Sequence, residues 1–445
     1  MSGEMAVPSR SRKKLDIVDG GLMIGRHVVI EGTGTPPSVK VSGTIYCEGD
    51  DTFECNVSAR SLEAEDDVTI KGDLEVENNV EVEDGHLVVR GRMNAKRVDV
   101  DATLYVTGDL AVEGVDVGGS LKVDGNVTAG NIDVGGSFKA VGEVEARKID
   151  VGGSVLIEST ADISDLNVGG TAKVGGGKIA EVDIGGSFES RASLTFERIN
   201  VGGVVRLASK CKGGSVNVGG VFKVDGDLEF KDVNVGGKVV ITGLAEGNGM
   251  DVGGKVEVSK SLNLSGNLEV GGKASVDEKL HARNIEVGGV LRTREAIAED
   301  CVEVGGAITT EDGVTARCVE IGRRGTVHGL IRADEVVIGK DAHAEDIYGK
   351  RVFLERGAQV ENIYGENITI ESDCVIKGEV QYTNELKIDR NVSLVNEPQK
   401  VAKLASRPSR TPTVPARRKQ CPNCGTDSQD DAIFCKRCGK KLPEE

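Results

Sequence analysis

The residues best suited to chemistry are four cysteines near the end of the chain, Cys421-Pro-Asn-Cys424 and, after ten intervening residues, Cys435-Lys-Arg-Cys438. Two Cys-x-x-Cys knuckles bring four thiolates to the corners of a tetrahedron, the coordination that a structural Zn²⁺ prefers. Gly425 and Gly439 follow the knuckles and permit tight turns, and Phe434 can cover the metal as a small apolar lid. The expected role is structural, because four sulfurs fill the coordination sphere and leave no position for a catalytic water. A redox pair of Cys-x-x-Cys motifs is the competing reading, and no βαβ pattern of the thioredoxin kind surrounds them. With little core of its own, the module at 421–445 is expected to fold only with its metal.

Elsewhere the chemistry thins out. Of the other six cysteines, Cys211 and Cys374 fall at expected inward positions, while Cys301 and Cys318, 17 residues apart, should stack on adjacent coils. All six are read as core or surface filler. The five histidines, His27, His86, His281, His328 and His343, are scattered. Acidic residues recur at outward positions such as Asp116, Asp133 and Asp150, as on a solvated face. The expectation is a protein that is not an enzyme and has no small-molecule substrate.

The elements that carry these residues follow from a repeat. Gly-Gly after Val or Ile begins at twelve positions from Gly118 to Gly305, and nine of the eleven intervals are 17 residues. Gly322 and Gly339 continue the register, and Leu62, Val80 and Val98 extend it backwards without glycine pairs. Within Val115 to Asn131 the apolar residues form three alternating pairs, Val115/Val117, Leu121/Val123 and Val127/Ala129, with polar Asp116, Lys122 and Thr128 between them. That is the pattern of three short strands with one buried face. The expected fold is all-β: a triangular parallel β-helix of about twenty 17-residue coils, roughly 90 Å long at one strand spacing per coil. The glycine pairs are expected at the first corner, supplying positive φ. Flexible Gly-Gly linkers would not hold such a phase.

Composition agrees with a thin core. The chain has 445 residues with 61 glycines, no Trp, 13 Phe and Tyr together and only 9 prolines. Glycine well below one in three excludes collagen, and the regular apolar period excludes a disordered chain. No run of about 18 apolar residues is present to span a bilayer, and the first 30 residues lack a secretory apolar stretch. With cysteines at metal-ligand spacing, the expected compartment is the cytoplasm.

Charge is uneven. The net charge is −17, with +3 on residues 1–14 and +6 on residues 398–445, leaving −26 on residues 15–397. The expected organisation is a basic flexible N-terminal tail (1–25), irregular first coils or cap (26–61), the β-helix (62–397), a basic Pro-rich linker (398–420) and the zinc ribbon (421–445). Four prolines, seven basic and no acidic residues make the linker a tether. Weak contact of the basic tails with an anionic membrane or nucleic acid is the alternative.

The Val-x-Val-Gly-Gly strand, followed by two further short strands with Gly-Asp-Leu or Gly-Asn-Val at a corner (Gly108 to Leu110, Gly125 to Val127, Gly226 to Leu228), resembles the bactofilins. The resemblance covers about residues 62–395. It implies a right-handed coil and a polymer-forming cytoskeletal protein that assembles end to end, without nucleotide, into non-polar filaments. This solenoid is several times longer than the family's typical domain. The last 25 residues resemble the short zinc ribbons at the termini of many prokaryotic proteins. The resulting expectation is a self-assembling scaffold that recruits a protein partner through its ribbon. The alternative is a non-polymerising rod-like adaptor whose ribbon binds protein or nucleic acid. No capping helix is visible at either end, so the ends are either bare assembly surfaces or ordinary irregular caps.

Overall fold

The structure, a computed structural model, describes residues 4–404 together with Lys419–Gln420 and Asp427–Ser428. Two units are distinguished, Met1–Lys400 and Val401–Glu445. The first is an all-β parallel solenoid of about 23 turns, rather than about twenty. At one strand spacing per turn it is roughly 110 Å long. Among the described residues no helix is long and apolar enough to cross a membrane.

Inward alternation builds each turn. Val115, Val117, Leu121, Val123, Val127 and Ala129 are all buried, while Asp116 and Thr128 are exposed and Lys122 is half-buried. Leu110–Val117 pairs in parallel with Val127–Val134, setting Val115 against Ile132 and Val117 against Val134. Ser120–Val123 pairs likewise with Ser137–Ala140. The side-chain period of two and the turn period of 17 therefore superpose like on like, and one apolar column runs from Val7 to Val380. Phe53, Phe138, Phe188 and Phe222 are its largest fully buried side chains. Each turn contacts its neighbours, so stability accumulates along the stack rather than around a centre.

The glycine corner works differently from expectation. None of the twelve pairs has positive φ. Instead backbone packs on backbone: a Cβ on Gly135 would overlap the carbonyl oxygen of Gly118, and one on Gly136 that of Gly119. The amides of Gly135 and Gly136 donate to the Val117 and Gly119 carbonyls at 2.9 Å. Glycine is required here by close approach, not by dihedral freedom.

The N-terminal reading is also corrected. Within the segment 1–25 read as a tail, residues 5–24 build strands: Met5–Val7 pairs with Leu22–Ile24, Arg12–Lys14 with Val29–Glu31, and Ile17–Val18 with Lys40 and Val41. The second and third turns, within the segment read as irregular, continue in register through Leu22, Ile45 and Leu62. Their irregularity is an insertion around residues 32–37, closed by an antiparallel bridge between Thr33 and Ser38. This insertion lengthens the turn from Leu22 to Ile45 and so hides the period. At the other boundary Gln399–Lys400 pairs with Gln381 and Tyr382, so the start of the expected linker belongs to the solenoid. Residues 405–418 lie outside the described residues.

Candidate functional site

In each turn the residue between the two inward positions of the first strand faces solvent, and parallel register stacks these residues into a ladder. From Glu63 to Glu320 sixteen successive turns carry Asp, Glu or Asn there, twelve of them carboxylates. At about 4.8 Å per turn, adjacent like charges repel. Relief is local. Asn167 Nδ2 donates to Asp150 Oδ1 at 2.8 Å and Lys148 Nζ lies 2.6 Å from Asp150 Oδ2. Burial acts to raise the Asp150 carboxyl, but these two bonds outweigh it and hold it below the ordinary value. Asn217 Nδ2 likewise donates to Asn200 Oδ1 at 2.9 Å. Beside Asp183, Asn200, Asn217 and Asn234 the ladder and the glycine corners border a shallow groove of about 610 Å³.

The third turn holds the one fully buried carboxylate among the described residues. Asp51 accepts from the Val28 amide at 2.8 Å and the Gly49 amide at 3.4 Å. Burial pushes its carboxyl up to about 6, with the two amides acting in the opposite direction. Burial and the neighbouring Asp51 also push the Cys47 thiol well up, so it is an inert core group. Nearby, Asp50, Asp66 and Asp67 bring carboxylate oxygens within 4.8 Å of one another. These oxygens are engaged locally: Asp66 accepts from the Asp67 amide, Asp67 from the His86 amide, and Asp50 meets His27 Nδ1 at 3.2 Å. The set is read as a bonded corner.

The two ends differ in chemistry. In the first turn Lys13 occupies the register of the buried Ile30 and is exposed, while Arg12 pairs with Glu31 and, at 3.1 Å, with Glu54. In the last turn the corresponding inward positions are Leu386, Ile388 and Leu394, opposite Ile368, Ile370 and Ile376. Ile388 is 42% exposed where Ile370 is 1%. Among the described residues, 385–388, 393–394 and 399–400 pair on one side only.

Cys211 and Cys374 are buried, as their inward positions require. Cys301 and Cys318 are register partners on adjacent turns with Cα atoms 4.6 Å apart, and they form a disulfide. Two cysteines read as filler are therefore a covalent link between turns. Their spacing of one period was the signal for it. Of the histidines, His27 meets Asp50 and His328 meets Glu345 at 3.2 Å, both on the surface.

Cys421, Cys424, Cys435 and Cys438 lie outside the described residues. What is described is the hairpin around the first knuckle: Lys419–Gln420 pairs antiparallel with Asp427–Ser428, Gln420 opposite Asp427. The paired strands flank the first knuckle in sequence, so the ordered ribbon begins before residue 421. Four thiolates fit zinc in the chemistry of the donor set. Residues 417–442 match the family model of a zinc-ribbon domain, and all four cysteines fall within that match. No curated protein and no solved structure matches the chain.

Proposed function

We propose that the protein is a non-enzymatic structural scaffold of the bactofilin type: a right-handed triangular β-helix that associates end to end and recruits partners through its zinc ribbon. The observation that carries this reading is the last turn, whose apolar inward positions and one-sided strands form an open edge among the described residues, with Ile388 half exposed. Such an edge is a template for another chain. Electron microscopy and sedimentation of the full chain test it. Assemblies longer than one rod are expected, with Ile388→Lys reducing them to single rods of roughly 110 Å. Single rods at every concentration and salt would overturn it.

The adaptor reading is favoured by the opposite edge. A lysine at an inward position of an edge strand is a device that blocks further pairing, and Lys13 in the register of Ile30 fits that description. If it acts so, assembly stops at a pair of rods joined by their last turns.

In the ribbon, Cys421, Cys424, Cys435 and Cys438 would bind one structural Zn²⁺, the metal fixing the fold of a segment too small to build a core. Metal analysis is expected to show one zinc per chain, lost in Cys435→Ser, with the melting of the solenoid unchanged. The basic residues of 398–420 would act first as a tether and second as a weak contact for anionic membrane or nucleic acid. The proposed compartment is the cytoplasm. The Cys301–Cys318 disulfide weighs against a reducing compartment, and trapping thiols in the cell tests the proposal: a cytoplasmic protein should have this bond opened to two thiols there, and finding it intact overturns the compartment.

A further inference from the structure

The outward ladder is interrupted at the N-terminal end. On the three turns before Glu63 it carries Ala6, Met23 and Tyr46 in direct register. Met23 is 45% and Tyr46 41% exposed, two of the few large apolar side chains on this surface. Beside them lies a groove of about 710 Å³ whose apolar wall includes Val7 and Ile24. Its rim carries Glu4, Glu48, Glu63, Glu65, Glu81 and Glu83. Of these, Glu65 meets Arg26 at 3.9 Å, and the other five have no basic partner among the described residues.

The spacing of the carboxylates is that of an extended chain. Glu63 and Glu81 are register partners on neighbouring strands, and Glu65 and Glu83 follow them two residues on, just past each strand's end but with their amides still donating to the turn before, so each pair is separated by about the 6.6 Å of two extended residues. Side chains at alternate positions of an extended peptide are separated by the same distance. Met and Tyr offer an adaptable apolar contact at low entropic cost. An anionic membrane or nucleic acid is repelled from such a rim, whereas Lys or Arg is attracted.

We propose that this groove binds an extended basic segment of a partner protein, with one bulky apolar residue seated against Met23 and Tyr46 and alternate Lys or Arg residues paired with the flanking glutamates. The site does not depend on end-to-end assembly.

The test uses the full chain and a fluorescent nine-residue peptide alternating Lys and Ser with Trp at its centre, followed by anisotropy. Saturable binding to one site is expected. Met23→Ser with Tyr46→Ser in the chain, or Ala for Trp in the peptide, should each weaken it about tenfold, as loss of an apolar anchor does. Glu81→Gln with Glu83→Gln should weaken it and flatten its salt dependence. Both chain variants are on the surface and should melt as the parent does. Asp116→Asn with Asp133→Asn, remote on the same ladder, should change nothing. Absence of binding overturns the proposal. So does binding indifferent to Met23 and Tyr46 but reduced by the Asp116 and Asp133 changes, which is attraction to an acidic rod alone. If the Met23 and Tyr46 changes instead abolish self-association, the occupant is a second copy and the proposal also fails.

Discussion

Between Val117 and Leu121 the chain turns its corner through Gly118, Gly119 and Ser120; between Ile24 and Val28 it spans the same distance through Gly25, Arg26 and His27. The first corner has no positive φ, while the second places His27 at φ 59°. At this corner the division runs along the solenoid, while Lys210, at φ 62°, sits at a different corner of a middle turn. Arg10, His27 and Asp50 near one end, and Arg324, Asp341, Asp373 and Asn391 near the other, take φ between 55° and 63°. The middle turns instead stack glycine on glycine. A left-handed residue strains the backbone locally but leaves its side chain free to point into solvent. A glycine stack is unstrained but accepts no Cβ on any turn. The middle is thus uniform and intolerant of change at its glycine-pair corner. The ends are strained and variable there, and they also carry the buried Asp51, the apolar outward residues and the two unlike edges.

Breaking the inward column should have the largest effect and should be blind to this division. Val134→Asp buries an unpaired charge and is expected to cost about 4 kcal/mol or more, read as lost hydrogen-exchange protection in the surrounding turns. Asp133→Ala, one residue away on the outward ladder, should stay within about 0.5 kcal/mol. Equal effects would refute the assigned register.

Corner substitutions separate the two regions. Gly135→Ala drives a Cβ into the Gly118 carbonyl and is expected to cost about 3 kcal/mol by forcing adjacent turns apart. Arg26→Ala, at the equivalent corner near the end, already has a Cβ accommodated and should be near neutral. If both melt alike, close approach is not what selects glycine.

This contrast also explains what was readable in the sequence. Glycine pairs are a compositional mark, so the middle turns, their strands and their inward residues could be assigned from spacing alone. A left-handed Arg10 or His27 carries no such mark, and the insertion near residues 32–37 broke the period just where the first turns begin. Basic residues at 10–14 then looked like a tail, although Arg12–Lys14 is a strand. Asp51 was invisible because its burial depends on the Val28 amide, 23 residues away. The cysteine spacing near the C-terminus sufficed for the ribbon, since four ligands and two turns are all such a module contains.

Asp51 gives the N-terminal turns a pH dependence the middle should lack. Its folded carboxyl titrates at about 6, above the ordinary 3.8, because burial favours the protonated form. Its contribution to stability is therefore full below about pH 4 and lost as the pH rises through about 6, on the order of 3 kcal/mol. Asn keeps an oxygen for the Val28 amide and never ionises. Asp51→Asn should remove this slope and protect the turns near residues 24–70 above neutral pH, with exchange in the middle turns unchanged. A parent protein whose first turns exchange identically at low and neutral pH would show that Asp51 is not held protonated.

The smallest effect sharpens the comparison most. Arg324 has φ 59° and a side chain with no local way to ease that conformation, whereas Asp341, at φ 57°, belongs to the residue types that tolerate it. Arg324→Gly relieves roughly 1 kcal/mol of strain and loses about half of that to the greater freedom of glycine when unfolded. A net gain of about 0.5 kcal/mol should appear as slower exchange in its own turn, around Thr326–His328. Asp341→Gly should gain less, because less strain is there to relieve. Should both substitutions destabilise, the corners at the ends are held by their side chains, and the difference between ends and middle is one of contacts rather than of backbone conformation.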